Sequence, residues 1–436
     1  MTPARQVGFP TALALVVGGM IGSGVFTLPA ALAPYGGVSL LGWLISAGGS
    51  ILLALVFAHL ARTYPATGGP YAYTRRAFGD LAGFLVGWGY WISCWTTNGA
   101  LAVAFVGYLD PFFPAALRHP PTAALMAGST VWVLTIVNSL GVRAAGGMQV
   151  VTTVLKVLPL LLVGFAGLAY VSPEPFVIAD TRAPVLGANI MAVVTLTLWA
   201  FLGLETATIP AASVRHAARV IPRATILGTS LAAVLYIVCT VGVMSVVPAA
   251  TLAASTAPFA DAARVMFGDG AARLVALGAA ISCFGALNAW VLLVGQMPMA
   301  MAADGLFPRV FAQLSSRGTP TRGMVIGGVL TSALIATNYA DTLVAVFTFI
   351  ILLATLSVLV PYAFCALAVL ARPAGGAAPT SRGVRIVAAL AFGYAMLAIA
   401  GAGQETVYWG FLLLLAGLPV YVVIVRSRPV SGEGAR

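Results

Sequence analysis

Leu196-Thr197-Leu198-Trp199-Ala200-Phe201-Leu202-Gly203-Leu204-Glu205 puts one carboxylate inside an otherwise apolar run. Apolar sequence continues on both sides, so Glu205 reads as an acid within a membrane-spanning segment. A carboxyl group at that depth costs at least ~2.5 kcal/mol on insertion scales, and such groups usually line a polar path or meet something positive. The composition supports that setting. Of the 436 residues, 61% are hydrophobic and 8% charged, and the mean hydropathy is +1.02. A soluble domain carries about 25% charged residues, so a soluble enzyme of this length is excluded and a polytopic, all-α membrane protein is expected.

About 20 apolar residues cross the hydrocarbon as a helix. Twelve segments qualify, near 9–34, 38–61, 81–109, 122–141, 147–171, 188–210, 224–247, 272–302, 323–338, 342–370, 384–401 and 406–425. The run starting near Val7 is too long for a signal-peptide core and reads as a retained first span. An even number of spans puts both termini on one side. The loops of that side hold 17 arginines against three acids, and those of the other hold four against seven. Cytoplasmic loops are the ones enriched in Lys and Arg, so both termini are expected in the cytoplasm, with the protein in a bacterial inner membrane. The net charge of +11 is thus a topology signal. The expected partner is the lipid bilayer, not nucleic acid. One membrane domain is expected over 1–426, with 427–436 a disordered cytoplasmic tail.

No catalytic set stands out: there is no His-Glu-x-x-His, P-loop or nucleophile elbow. His59, His119 and His216 are scattered, without metal-ligand spacing. Cys94, Cys239, Cys283 and Cys365 lie in apolar stretches and read as small buried hydrophobes. Neither a cofactor nor a metal is expected.

The polar anomalies lie inside the spans. Span one contains Gly18-Gly19-Met20-Ile21-Gly22-Ser23-Gly24-Val25-Phe26. Glycines let membrane helices pack closely, but two glycines around Ser23 also lower the cost of unwinding. The freed amides at the start of the second half-helix then form an anion site. In span six, Trp199 and Gly203 precede Glu205. If spans one to five and six to ten repeat each other, spans one and six correspond, and a matched pair of interrupted helices points to a transporter binding site. Tyr90, Cys94, Asn98 and Leu101 share one face of span three. Trp290, like Trp199, lies near mid-span, where an aromatic platform suits a cation. Lys156 sits where snorkelling is impractical. It either clamps backbone carbonyls of an unwound span one or titrates as a proton-coupling group.

These residues resemble the amino acid–polyamine–organocation superfamily, and within it the basic amino-acid/polyamine antiporters, particularly the branch exchanging arginine for agmatine. The likeness runs from about Val7 to Val425. It rests on Gly22-Ser23-Gly24-Val25-Phe26, on Gly68-Gly69-Pro70-Tyr71-Ala72-Tyr73-Thr74-Arg75-Arg76, on Leu198 to Glu205, and on Ala302-Ala303-Asp304-Gly305-Leu306-Phe307-Pro308. The resemblance implies a five-plus-five inverted repeat with broken helices 1 and 6 and two added helices: repeat one about 9–171, repeat two about 188–370, helices 11–12 about 384–425. It implies a substrate carboxylate at Gly22-Ser23-Gly24, an amino group at the unwound part of span six around Trp199, itself a substrate-covering aromatic, and a cationic side chain at Asn98 and Trp290. The implied substrate-binding set also includes Ile21, Ser93, Cys94, Leu101, Ala200, Leu202 and Ala354. A gate is implied at Tyr90, Glu205 and Tyr362, and pH or proton coupling at Lys156, Glu205 and Tyr71. Ala200, Leu101 and Ala354 depart from the arginine-exchanging pattern. Other superfamily members carry a lysine where Lys156 stands, in place of a sodium ion.

The resemblance therefore implies a sodium-independent antiporter of a cationic amino acid and its decarboxylated amine, with a homodimer possible. The rival reading is a proton-coupled symporter or exporter of neutral amino acids using Lys156.

Overall fold

The computed structural model describes residues 8–64, 68–140, 156–178, 181–208, 214–337, 343–371 and 380–426. The start of the expected fifth span, 147–155, and the tail 427–436 lie outside them. Among the described residues the regular structure is helical, with no strand.

The first span is two helices, α1 (Phe9–Met20) and α2 (Ser23–Leu32). Ile21 is extended (ψ 92°) and Gly22 takes φ −128°, ψ −134°, so the chain unwinds for two residues between them. There follow α3 (Val38–Thr63), α4 (Pro70–Phe78), α5 (Asp80–Gly107), α6 (Pro114–Leu117), α7 (Pro120–Ser139) and α8 (Lys156–Tyr170). The sixth span begins as α9 (Ala183–Leu198). It tightens into a 3₁₀ turn at Trp199–Phe201, opens at Leu202 (ψ 135°) and Gly203 (φ +101°), and resumes as a second 3₁₀ turn at Thr206–Thr208. Then come α10 (Ala217–Val246), α11 (Ala249–Ala253), α12 (Pro258–Phe267), α13 (Asp269–Ala303), α14 (Thr321–Thr337), α15 (Leu343–Leu370), α16 (Arg382–Gly401), α17 (Gln404–Leu415) and α18 (Gly417–Arg426).

Proline opens many of these helices, as at Pro10, Pro70, Pro120 and Pro258. Its fixed φ suits the first turn, and its missing N–H is no loss there. Among the described residues, nine segments are long and apolar enough to cross a bilayer. The shorter apolar helices α8 and α14 and the 28-residue α5 bring the total to the twelve expected from sequence. Leu125, Leu274 and Val423 are exposed on the outer helix faces. Leucine there would be penalised in water and is at home against lipid tails. The interior is helix on helix, with α5 packed among α13, α15 and α7.

The two broken spans cross through their glycines. A β-carbon on Gly203 would lie 3.0 Å from both the carbonyl carbon and oxygen of Gly19, and φ is +101°. Left-handed backbone and the absence of room both demand glycine. Gly203→Ala is therefore expected to cost about 1–3 kcal/mol, read as a lower melting temperature of the detergent-purified protein. An unchanged melting temperature would show that the crossing relaxes freely.

Candidate substrate site at the crossing of the broken helices

The 28-residue α5 orders the site along its length. At about 1.5 Å per residue, it passes Tyr90, then Thr97 and Leu101, then reaches Tyr108 just beyond its end. Each of these stations meets a different part of the broken spans.

At the middle station a small cavity is lined by Gly19, Met20, Gly22, Ser23, Gly24, Thr97, Leu101, Trp199, Leu202 and Trp290. Its volume is about 20 Å³, room for a single water, so this conformation is contracted around the site. Gly24 permits the contraction: a β-carbon there would lie 3.0 Å from the Ala200 Cα. The start of α2 has no side-chain cap, leaving its first amides as the donors at this point. The Ser23 Oγ, Thr97 Oγ1 and Asn98 Oδ1 atoms are buried without a hydrogen-bond partner. Buried polar atoms are nearly always paired, so the two orphans that line the cavity, on Ser23 and Thr97, call for a ligand or water.

Of the residues named from sequence, Gly22, Ser23, Gly24, Leu101, Trp199, Leu202 and Trp290 line this cavity. Ile21, Ser93, Cys94, Asn98, Ala200 and Ala354 do not, although all six are buried. The Ser93 hydroxyl is turned back onto the Tyr90 carbonyl at 2.7 Å, which removes it from the site. Thr97 also lines the cavity, outside the set expected from sequence. Its signal was a hydroxyl four residues before Leu101, hence on the cavity face of α5. The four cysteines are buried and free.

One station away, Glu205 is fully buried. The Tyr90 hydroxyl donates to its Oε1 at 2.7 Å and the Tyr362 hydroxyl to its Oε2. Pro361 sits within α15 beside Tyr362. At the opposite station the Tyr108 hydroxyl donates to the Phe26 carbonyl at 2.6 Å, and the Phe26 ring meets those of Tyr108 and Phe259 edge-on. The cavity is thus bracketed along α5 by a carboxylate–phenol cluster on one side and an aromatic cluster on the other.

Lys156 clamps the break itself. Its Nζ donates to the Gly18 carbonyl at 2.7 Å and the Ile21 carbonyl at 2.8 Å. Asn288 is tied across to α7, accepting from Asn138 Nδ2 at 2.9 Å, which fixes the stretch of α13 that presents Trp290. Tyr71 lies further out, on α4. Its hydroxyl donates to Asp304 Oδ2 at 2.9 Å and accepts from Arg75 Nη1 at 3.3 Å. Burial and donation to the Asp304 carboxylate push its phenol up, so near neutral pH Tyr71 acts as a proton-bearing donor. Among the described residues no group of histidines, cysteines and acids is arranged to hold a metal.

A helical membrane protein with two spans broken around one cavity has the architecture of a secondary transporter. The chain belongs to the amino acid permease family of the amino acid–polyamine–organocation superfamily, whose family profile matches residues 7–425. It is 36% identical over 341 residues to the cadaverine/lysine antiporter of Escherichia coli strain K12, covering 77% of this chain and 75% of that one. It is 32% identical over 395 residues to the putative arginine/ornithine antiporter of Bacillus subtilis strain 168, covering 83% of each. It is 31% identical over 427 residues to the putrescine transporter PotE of Haemophilus influenzae, covering 96% of this chain and 97% of that one. The protein is a multi-pass membrane transporter of amino acids and amines, not an enzyme.

Proposed function

We propose that the protein is a sodium-independent antiporter exchanging a cationic amino acid for its decarboxylated amine, with both termini cytoplasmic in a bacterial inner membrane. The observation that carries this reading is one small cavity that joins the uncapped start of α2 and the orphaned Ser23 hydroxyl to two tryptophan rings. The first pair suits a carboxylate; the rings suit a cation. The amine lacks the carboxylate, so it uses only the second half of the site. Tyr90, Glu205 and Tyr362 act as the gate, and the repeats run about 9–171 and 188–370. The carboxylate of Glu205 meets two phenols and serves as a charge-sensitive closure, not a substrate ligand. Lys156 supplies, on the Gly18 and Ile21 carbonyls, the positive charge that a sodium ion would otherwise bring.

The chemistry of the pocket favours an alkylammonium over a guanidinium. A guanidinium brings five donors in a fixed plane, an ammonium three on a compact head. Beyond the Ser23 hydroxyl, the one spare side-chain acceptor lining the cavity among the described residues is Thr97 Oγ1. Ala200, Leu101 and Ala354 add none. Lysine against cadaverine is therefore the first pair to test, and arginine against agmatine the second.

The test is uptake of labelled lysine, cadaverine, arginine and agmatine into proteoliposomes, with and without a loaded counter-substrate, at several pH gradients. Uptake that requires the counter-substrate supports antiport. Uptake of neutral amino acids driven by a proton gradient into empty vesicles would overturn it. Trp290→Leu is expected to weaken cadaverine binding by ~0.5–2 kcal/mol through loss of the cation–π platform, measured by calorimetry. Unchanged affinity removes Trp290 from the cation site.

A further inference from the structure

The sequence Arg-x-x-Phe-Gly-Asp occurs twice, at Arg75 to Asp80 and at Arg264 to Asp269. Each copy joins a short helix to a long span, α4 to α5 and α12 to α13. The two are built alike. Gly79 has φ 84°, ψ −174° and Gly268 has φ 84°, ψ −180°. The Gly79 amide donates to the Arg75 carbonyl at 2.8 Å, and the Gly268 amide to the Arg264 carbonyl at 2.9 Å. Arg75 Nε reaches Asp80 Oδ1 at 2.8 Å; Arg264 Nε reaches Asp269 Oδ1 at 3.1 Å. Five crossings separate the motifs, so they lie at opposite faces of the membrane.

Each arginine turns a terminal nitrogen to a second acid, and here the copies differ. Arg75 Nη1 pairs with Asp304 Oδ2 at 3.0 Å. Asp304 follows the last residue of α13, so this bond ties the start of one long span to the end of the other, with Tyr71 donating to the same carboxylate. Arg264 Nη1 instead pairs with Asp261 at 2.6 Å, on its own helix. The counterpart of Asp304 is Asp110, just past the end of α5. Asp110 feels the charges of Arg264, Asp261 and Arg118, and burial pushes its carboxyl up, with Asp261 adding to the shift. Its pairing with Arg264 is not made: Arg264 pairs only with Asp261 and Asp269 among the described residues.

We propose that the motifs are matched latches for the two faces: the bond from Arg75 to Asp304 holds the first face shut in this conformation, and a bond from Arg264 to Asp110 holds the second face shut in the alternate one. Arg264 changes acids, from Asp261 to Asp110, as the second face closes. Tyr90 of the Glu205 cluster lies on α5 between its Asp80 end and the cavity residues Thr97 and Leu101. The proposal is independent of which amino acid is carried.

Hydrogen exchange by mass spectrometry on the full chain in nanodiscs tests it, following 70–78 and 301–306 at one face and 107–110 and 258–267 at the other. Breaking a partly exposed pair changes an opening equilibrium about two- to fivefold. Asp304→Asn is expected to raise exchange at the first face by that factor and lower it at the second. The exchange of charges in Arg75→Asp with Asp304→Arg is expected to restore both. Asp110→Asn should leave resting exchange unchanged yet slow exchange transport at saturating substrate. The latches are overturned if Asp304→Asn loosens both faces together or neither, if the charge exchange restores nothing while the protein remains monodisperse, or if Asp110→Asn turns over at the wild-type rate.

Discussion

Glu205→Ala is expected to reduce exchange of lysine, arginine and their amines at least about tenfold while the protein still folds and inserts. The reasoning starts from two hydroxyls, not from the carboxylate. Tyr90 and Tyr362 are both fully buried and both spend their protons on Glu205. Alanine leaves two buried donors without acceptors, at about 1–3 kcal/mol each. That penalty falls on the closed arrangement only, because opening the gate lets water pair with both. The closed state loses stability relative to the open one, and a carrier that cannot close on one side no longer completes its cycle. Glu205→Gln separates geometry from charge. Glutamine keeps one acceptor oxygen but turns an NH₂ toward the second phenol, so one hydroxyl must rotate away. Its expected rate lies between alanine and wild type. Wild-type turnover in both variants, measured in proteoliposomes with a loaded counter-substrate, would sink the gate.

The cost of placing Glu205 in hydrocarbon was visible in the sequence, because apolar length and a lone acid are one-dimensional facts. So were the breaks in spans one and six, where Gly22 and Gly203 announce backbone that ordinary helix geometry excludes. The partners were not visible on physical grounds alone. Tyr90 and Tyr362 are 115 and 157 residues from Glu205, and only the family resemblance put them together. At Ser93 the structure adds what the resemblance does not carry: the hydroxyl is taken up by its own helix. Intrahelical capping by serine is a local competition that motif matching does not weigh. The repeated Arg-x-x-Phe-Gly-Asp could have been read from the chain. The two segments share only four of six residues and stand 189 positions apart, so they look like unrelated loops until each is seen joining a short helix to a long span.

Lys156→Met is expected to have the other large effect, and on stability first. Lys156 serves the carbonyls that the break in span one leaves behind. Helix α1 ends at Met20, so its last turn has acceptors with no amides ahead of them. The ammonium covers the Gly18 and Ile21 carbonyls at 2.7 and 2.8 Å, and its charge also suits the negative end of the α1 dipole. Methionine keeps the length and removes every donor. Two stranded carbonyls at about 1–3 kcal/mol each would lower the melting temperature and let the unwound segment re-form helix, closing the amide cluster at Ser23. Lys156→Gln restores donors without charge and is expected to regain part of the stability and a measurable rate. That residual rate decides between the two readings of the lysine. If Lys156 is a clamp, the glutamine variant keeps the wild-type pH profile at a lower amplitude. If Lys156 carries the coupled proton, the profile flattens or moves, and the neutral amino-acid symport reading returns with it. The two carbonyl acceptors favour the clamp, because an ammonium held by two backbone oxygens has a structural reason to be there before any proton moves.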